Sequence, residues 1–333
     1  MTIYIGINGF GRIGRSIFRA ALTNPMFANL TLTAINDPAP PEVLAHLLKY
    51  DSIMGSLKYP VELVGNTMTL DGKKISFSAE PDPKTIPWHH HDIDYVVEAS
   101  GRFTNLNSAN HHLKGGVRRV VITAPAKGEV RTIVMGINED EYDPRVDRVV
   151  SNASCTTHCL APVARVILNR FGLRRGLITT IHSYTNDQRL IDSAHNDLRR
   201  ARAAGLSIIP TTTGAAAAIG LVIPELTGRF DGMSVRVPTA NVSLVDTVME
   251  VEHPCTADDV NQALQESVNR YMGFTMEPLV SCDFREDTRS SVIDGLSTRA
   301  IETTIKVMSW YNNEWSYAHR VLELIQYMHS RDI

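Results

Sequence analysis

The 333-residue sequence predicts an α/β protein of two domains, the first built on a parallel sheet. Three observations carry this prediction. The chain exceeds the length at which one core keeps growing. Its opening, IYIGINGFGRIGRSIFRAAL, reads as strand, glycine turn and helix. Strand-like runs rich in Val and Ile then alternate with helical stretches, the pattern of a parallel sheet.

In that opening Ile3, Ile5 and Ile7 alternate as a strand requires, and Ile13, Ile17, Ala20 and Ala21 recur at helical spacing. Between them lies Gly9-Phe10-Gly11-Arg12-Ile13-Gly14. The first glycine permits a tight turn, and the second lets backbone amides approach a pyrophosphate. The third lets helix pack closely on strand, and the helix N-terminus attracts negative charge. A bare G-x-G-x-x-G is weak. Here a second strand, LTLTAIND (30–37), ends in Asp37, near the roughly 20-residue separation at which an acid meets the ribose hydroxyls of a dinucleotide. DYVVEASG (94–101), RRVVITAPA (118–126) and TIVMGIN (132–138) read as further strands. They place Ser100-Gly101 and Thr123-Ala124 at carboxyl ends, where parallel sheets bind ligands; ordinary turn chemistry explains those small residues equally well.

A hydrophobic fraction of 43% with 21% charged residues is ordinary for a globular chain. The net charge of −3 gives no reason to expect nucleic acid or an anionic membrane as partner. No apolar run approaches the ~20 residues of a membrane span, and MTIYIGINGF has neither a basic region nor a cleavage-type sequence. A cytoplasmic protein is expected. The four cysteines are too sparse for a disulfide scaffold and contain no C-x-x-C pair. WHHHD (88–92) and NHHL (110–113) lack metal-ligand spacing and read as solvated loop histidines, so no metal is expected.

SNASCTTHCL (151–160) poses the chemical question. Cys155 is open to three readings: a packing thiol, half of a metal or disulfide pair, or a reactive thiolate. The following CTTHCLAPVARVIL carries Leu160, Val163 and Ile167 at helical spacing, which puts Cys155 at a helix N-terminus with Ser154 as cap. Amides and dipole there lower a thiol's pKa. Pro162 predicts a bent helix, and Cys159 one turn on points inward as packing. GLITTIHSYTNDQ (176–188) then delivers His182 from an apolar strand into a polar loop, a suitable place for a base that serves a thiol. RRARAA (199–204) reads by itself as a solvated basic loop or helix.

INGFGRIGR, SNASCTTHCLAP, HSYTNDQ, RRARAA, IIPTTTGAA, VRVPTANVSLVD and SWYNNEW stand in the order and spacing of the phosphorylating glyceraldehyde-3-phosphate dehydrogenases, which this chain resembles over essentially its whole length. The resemblance implies an N-terminal Rossmann dinucleotide-binding domain (1–154) and an α+β catalytic domain (155–316) with a mixed or antiparallel sheet. The last helix (317–333) would return to pack on the first domain. It implies Cys155 as nucleophile and His182 as base, with D-glyceraldehyde 3-phosphate and inorganic phosphate as substrates. Thr185, Asp187 and Arg236 are implied for the substrate phosphate, and Ser154, Thr156, Thr213, Gly214 and Arg202 for the attacking phosphate. NAD would be held by Gly9, Gly11, Arg12, Ile13, Gly14, Asp37, Ser100, Gly101 and Thr123, with Asn313 on the nicotinamide carboxamide and Tyr317 beside the ring. The loop around 184–206 implies a homotetramer.

Five departures from the family pattern stand out. His158 replaces an Asn, Pro81 an Arg near the adenine, Asn312 an Asp, and Ser316 a Gly. Ser193-Ala194 replaces a Leu-Pro pair, a change that accompanies NADP use in photosynthetic relatives. Asp37 would repel a 2′-phosphate, so NAD is expected, with NADP left open. An erythrose-4-phosphate dehydrogenase and a catalytically silent dinucleotide-binding or interaction protein are the rival readings. Intact Cys155 and His182 argue against the second.

Overall fold

The computed structural model describes residues 2–332. The chain divides into two compact units. One comprises Met1–Ile133, Glu139–Ala153 and Ala318–Ile333, and the other Val134–Asn138 and Ser154–Tyr317.

The first unit is organised by a nine-stranded sheet. Its parallel centre runs Val149–Ser151, Arg119–Ile122, Tyr95–Glu98, Ile3–Asn8 and Leu30–Asn36 across the sheet, with Arg131–Thr132 beyond one edge. On the other side Lys73–Ser78 continues parallel, and Thr67–Leu70 and Val61–Val64 close it as an antiparallel meander. Ile3, Ile5, Ile7, Val96, Val97, Val120 and Val121 are all fully buried, because helices cover parallel sheets on both faces. The strands expected at 94–101 and 118–126 are there, trimmed to Tyr95–Glu98 and Arg119–Ile122.

TIVMGIN behaves differently. Only its first residue is strand, as the end of Arg131–Thr132, and Val134–Asn138 belongs to the second unit. Asn138 Oδ1 accepts the Val134 amide at 2.9 Å, closing a side-chain-mediated turn that competes with strand pairing. Gly136 has φ +85°, and a Cβ there would lie 2.4 Å from the Tyr271 ring. Apolar character alone did not reveal that turn.

The C-terminal helix Trp315–Arg331 supplies the first unit from Ala318 onward. Its anchor is Asp332, whose carboxylate accepts from Tyr95 (2.6 Å), Tyr142 (2.7 Å) and Arg119 (2.8 Å). His319 packs its ring against Phe27 at 5.4 Å.

The second unit holds an eight-stranded mixed sheet. Leu173–Ser183 pairs parallel with Phe230–Val237 and antiparallel with Ser243–Val251, which pairs in turn with Thr304–Tyr311. Ile209–Thr212 lies at one edge and the parallel pair Ser291–Asp294 and Met272–Thr275 at the other. The helix Cys155–Phe171 carries the buried Cys159, Leu160, Val163 and Ile167. Pro162 sits inside it, where it removes one intrahelical donor. Among the described residues no helix is long and apolar enough to cross a membrane.

Candidate active site

The helix Cys155–Phe171 begins where the sequence placed it. Ser154 is its N-cap, with Oγ accepting the Thr157 amide at 3.1 Å. Cys155 therefore sits in the first turn, among amides that have no intrahelical acceptor. The strand Leu173–Ser183 brings His182 to the same point: Cys155 Sγ lies 3.7 Å from His182 Nε2. Cys155 keeps partial solvent access, whereas Cys159 is fully buried among Ser291 and Ser309. Burial pushes the Cys159 thiol up to about 12, which leaves it inert packing.

The electrostatics centre on His182. Its Nδ1 lies 2.6 Å from the Ser183 carbonyl oxygen and 2.8 Å from Arg236 Nη1. One nitrogen cannot donate to the first and accept from the second. If Nδ1 carries the proton and donates to Ser183, Nε2 presents its lone pair to Cys155, and Arg236 Nη1 donates to Ser183 O at 3.2 Å instead. This assignment gives both ring nitrogens of His182 a partner, and it leaves Arg236 Nε buried with none among the described residues. Desolvation, reinforced by the Arg236 charge, holds the imidazole down to about 3. The imidazole is thus neutral at all ordinary pH.

For Cys155 the expectation from the helix N-terminus is corrected in part. Burial pushes the thiol up, outweighing the Arg236 charge and the Thr156 hydroxyl and amide that pull it down. The resting pair is a neutral thiol facing a neutral imidazole.

Hydroxyls floor the cluster. Thr156 Oγ1 lies 2.9 Å and Thr180 Oγ1 2.8 Å from the buried Tyr311 hydroxyl, and the Tyr311 ring meets His182 edge-on. Asn313 is buried with Oδ1 accepting from Ser183 Oγ (2.8 Å) and Ser243 Oγ (3.3 Å), so its amide hydrogens are the groups left to offer a ligand. Tyr317 is buried against the His158 ring at 5.7 Å. His158 replaces the expected Asn by turning Nδ1 back to Ser154 O at 3.1 Å. Asn312 caps the last helix, accepting the Glu314 and Trp315 amides at 3.0 and 2.8 Å. Pro81, Ser193 and Ala194 are exposed, and the Ser316 hydroxyl bonds Asn312 O at 2.7 Å.

The anion-binding candidates divide. Thr213 and Gly214 lead into the helix Ala215–Val222, which has no side-chain cap and open space beside Gly214. Thr185 is half-buried, its amide on Gln188 at 3.2 Å. Arg202, by contrast, is exposed and paired to Asp192 at 2.9 Å. The arginine that reaches the cluster is Arg200. It donates to Thr211 Oγ1 at 2.9 Å and pairs with Asp187, and its charge bears on both His182 and Arg236. Asp187 is occupied by Arg200 and by His195 at 3.4 Å, so it holds cations rather than an anion. Sequence spacing offered three arginines in RRARAA and no means of choosing among them.

In the first unit, the glycine turn meets the demands of a dinucleotide. Gly9 has φ +92°, and a Cβ there would lie 2.5 Å from the Ser100 nitrogen. A Cβ on Gly14 would lie 2.3 Å from Gly9 O, while Gly11 faces open space. Gly11, Arg12 and Ile13 start the helix Arg12–Thr23, which has no side-chain cap and no acid in its first turn. The Arg12 side chain itself is turned to Asp51 at 2.5 Å, so its contribution to a ligand is confined to its backbone. Asp37 accepts the Phe10 amide at 2.7 Å, which fixes the acid beside the turn. Ser100, Gly101 and Thr123 stand at strand ends, with the Thr123 amide on Glu98 O at 3.0 Å.

Not all the histidines expected in solvent are there. His112 is fully buried, with Nε2 3.0 Å from Glu98 and Nδ1 accepting from Trp88 Nε1 at 3.2 Å.

Comparison with known proteins agrees in both units. Residues 3–106 match the family model for the NAD binding domain of glyceraldehyde 3-phosphate dehydrogenase, and residues 154–313 match the model for its C-terminal domain. The chain is 52% identical to a glyceraldehyde-3-phosphate dehydrogenase of Geobacillus stearothermophilus, with 100% of each chain covered. Identity is 51% to glyceraldehyde-3-phosphate dehydrogenase 1 of Bacillus cereus (99% of each chain). It is 46% to glyceraldehyde-3-phosphate dehydrogenase 2 of a Nostoc species (97% of this chain, 98% of the relative). The chain belongs to the glyceraldehyde-3-phosphate dehydrogenase family.

Proposed function

We propose that the chain oxidises D-glyceraldehyde 3-phosphate with NAD and captures the acyl group on inorganic phosphate, giving 1,3-bisphosphoglycerate, with Cys155 as nucleophile and His182 as base. The observation that carries this is the 3.7 Å approach of Cys155 Sγ to a neutral imidazole at a helix N-terminus.

As Cys155 Sγ attacks the aldehyde carbon, its proton passes to His182 Nε2 and on to the aldehyde oxygen, leaving a hemithioacetal on the sulfur. NAD, when bound, supplies a hydride acceptor. His182 Nε2 takes the hemithioacetal hydroxyl proton as the carbon is oxidised to a thioester. Inorganic phosphate then attacks the thioester carbonyl, and the sulfur leaves and recovers its proton from His182. The first-turn amides of the Cys155 helix stabilise the oxyanion at each addition, an effect of roughly 3–4 kcal/mol for one donor.

The substrate phosphate is assigned to Thr185, Arg236 and Arg200, with Asp187 holding Arg200 in place. The attacking phosphate is assigned to Ser154, Thr156, Thr213 and Gly214, a set of hydroxyls and a helix N-terminus suited to an anion. Domain limits of 1–154 and 155–316 with a returning helix from 317 belong to the same reading, as does a cytoplasmic location. So does a homotetramer. It is supported by Leu190, Ile191, Leu198, Leu206 and Ile208, which are all more than two-thirds exposed in one loop region, as residues of a subunit interface are in a single chain.

Steady-state rates with varied aldehyde, cofactor and phosphate test the proposal. Turnover is expected to require inorganic phosphate, to favour glyceraldehyde 3-phosphate over erythrose 4-phosphate, and to show higher kcat/KM for NAD than for NADP. Phosphate-independent turnover contradicts the acyl-transfer step, and an NADP preference contradicts the role given to Asp37. Sedimentation at working concentration should give four chains.

A further inference from the structure

In the first unit a carboxylate is buried beneath the glycine turn, and nothing in the chemistry above uses it. Glu98, at the end of the strand Tyr95–Glu98, is 1% exposed. A buried charge is tolerated only when its lone pairs are met. Four donors meet these: Asn8 Nδ2 at 2.6 Å and His112 Nε2 at 3.0 Å on Oε2, and the Ser100 amide at 2.9 Å with the Ser100 hydroxyl on Oε1. His112 cannot change tautomer, because its Nδ1 already accepts from Trp88 Nε1 at 3.2 Å. Asn8 is likewise fixed, since its Oδ1 accepts from Asn36 Nδ2 at 2.8 Å.

The two oxygens therefore do different work. Oε2 faces two donors locked by the core, while Oε1 faces the loop. Ser100 Oγ passes the restraint on by accepting the Arg102 amide at 3.1 Å, so the turn at Gly101 (φ +72°) hangs from Oε1. That turn is also the wall against which the glycine turn is built: a Cβ on Gly9 would lie 2.5 Å from the Ser100 nitrogen and 2.6 Å from its Cα. The Ala99 amide bonds Asn8 O at 2.7 Å, which closes the contact.

We infer that Glu98 is a positioning residue of the dinucleotide site, setting the Ser100–Gly101 turn and through it the Gly9 turn. This rests on the NAD reading given above. Glu98→Gln separates its two functions. A glutamine has one acceptor oxygen, and the fixed donors of Asn8 and His112 claim it. The amide nitrogen then confronts the Ser100 N–H, donor against donor, and of the two Ser100 groups on that side only the hydroxyl can adapt, by turning to accept. The core half of the network stays satisfied, and the loop half loses the anchor on its backbone amide.

The experiment compares wild type with Glu98→Gln in NAD binding by fluorescence titration, in kcat and KM, and in amide exchange of the ligand-free segment 99–102. Glu98→Gln should raise the Kd and KM for NAD about tenfold, the size of one lost charge-assisted hydrogen bond. The kcat at saturating NAD and the KM for aldehyde should stay within about twofold, and exchange at 99–102 should quicken. Ser100→Ala removes the hydroxyl donor on Oε1 but keeps the Glu98 charge, the Ser100 amide bond and the bonds of Asn8 and His112; it should speed exchange in the same segment by a smaller factor, and it serves where Glu98→Gln does not fold. Wild-type Kd and exchange in Glu98→Gln overturn the inference, as does a fall in kcat with a rise in aldehyde KM equal to the change for NAD. Failure of the wild-type chain to bind NAD instead removes the dinucleotide reading, while the exchange data still report whether Glu98 holds the turn.

Discussion

Two buried histidines, one in each unit, face charges of opposite sign. His112 donates to the Glu98 carboxylate at 3.0 Å, inside a network where each carboxylate oxygen meets two donors. His182 lies 2.8 Å from the Arg236 guanidinium, which disfavours its protonation. The first arrangement stabilises a shape: every group is satisfied, and moving one leaves another unpaired in the interior. The second stabilises a reactivity: an imidazole kept neutral keeps a lone pair for a neighbouring thiol. The same residue type is a structural donor in one unit and, in the proposed function, a poised base in the other, and the partner charge distinguishes them.

The largest test of this contrast is removal of the proposed nucleophile. Cys155→Ser should lower kcat by at least on the order of 10³-fold, whereas Cys159→Ser, deeper in the same helix, should leave it within a few-fold. Equal losses in steady-state assays would mean that the two thiols had been misassigned. His182→Gln should follow, with a loss of roughly 10²–10⁴ in kcat and little change in NAD affinity. Isothermal titration checks the second half of that statement.

Arg236→Leu sharpens the electrostatic side. Removing the cation stabilises the imidazolium, so the pKa of His182 rises from about 3 toward its ordinary value. The acid limb of the kcat/KM profile should therefore move to higher pH, with a raised KM for the phosphorylated aldehyde. An unmoved limb would show that burial alone sets the base. Stability obeys the same linkage. Because the folded pKa is lowered, the unfolded chain binds a proton that the folded chain refuses between about pH 6.5 and 3. Stability should fall as pH drops through that window, and thermal melts of His182→Gln should show a shallower decline. The smallest effect is a control outside both networks. Thr256 caps the helix Ala257–Glu266 in a capping box with Asp259, and Thr256→Ala should cost about 1 kcal/mol in denaturant melts without altering kcat.

What the sequence disclosed follows from how local each signal is. The Gly9–Gly14 turn, the cap at Ser154 and the delivery of His182 are written in contiguous residues, since strand period, glycine placement and capping are short-range properties. That Arg200 and not Arg202 faces Asp187 and Thr211 was not legible, because it depends on how a loop closes. The Arg189–Ala203 bridge and the Asp192–Arg202 pair set that closure and turn Arg200 toward Asp187 and Thr211. His112 was missed for a related reason: its partners Trp88 and Glu98 come from other segments, and an N-H-H-L run carries no mark of them. The thiol's upward shift was also hidden, because a helix N-terminus is visible in sequence and the degree of burial around it is not.

The most direct test is to trap the acyl group. The enzyme is mixed with NAD and glyceraldehyde 3-phosphate without inorganic phosphate, quenched in acid, and mapped by peptide mass spectrometry. One acyl adduct per chain is expected on the peptide carrying Cys155; it should disappear when phosphate is added and be absent from Cys155→Ser. No adduct, or an adduct on Cys159 or another residue, would contradict the account.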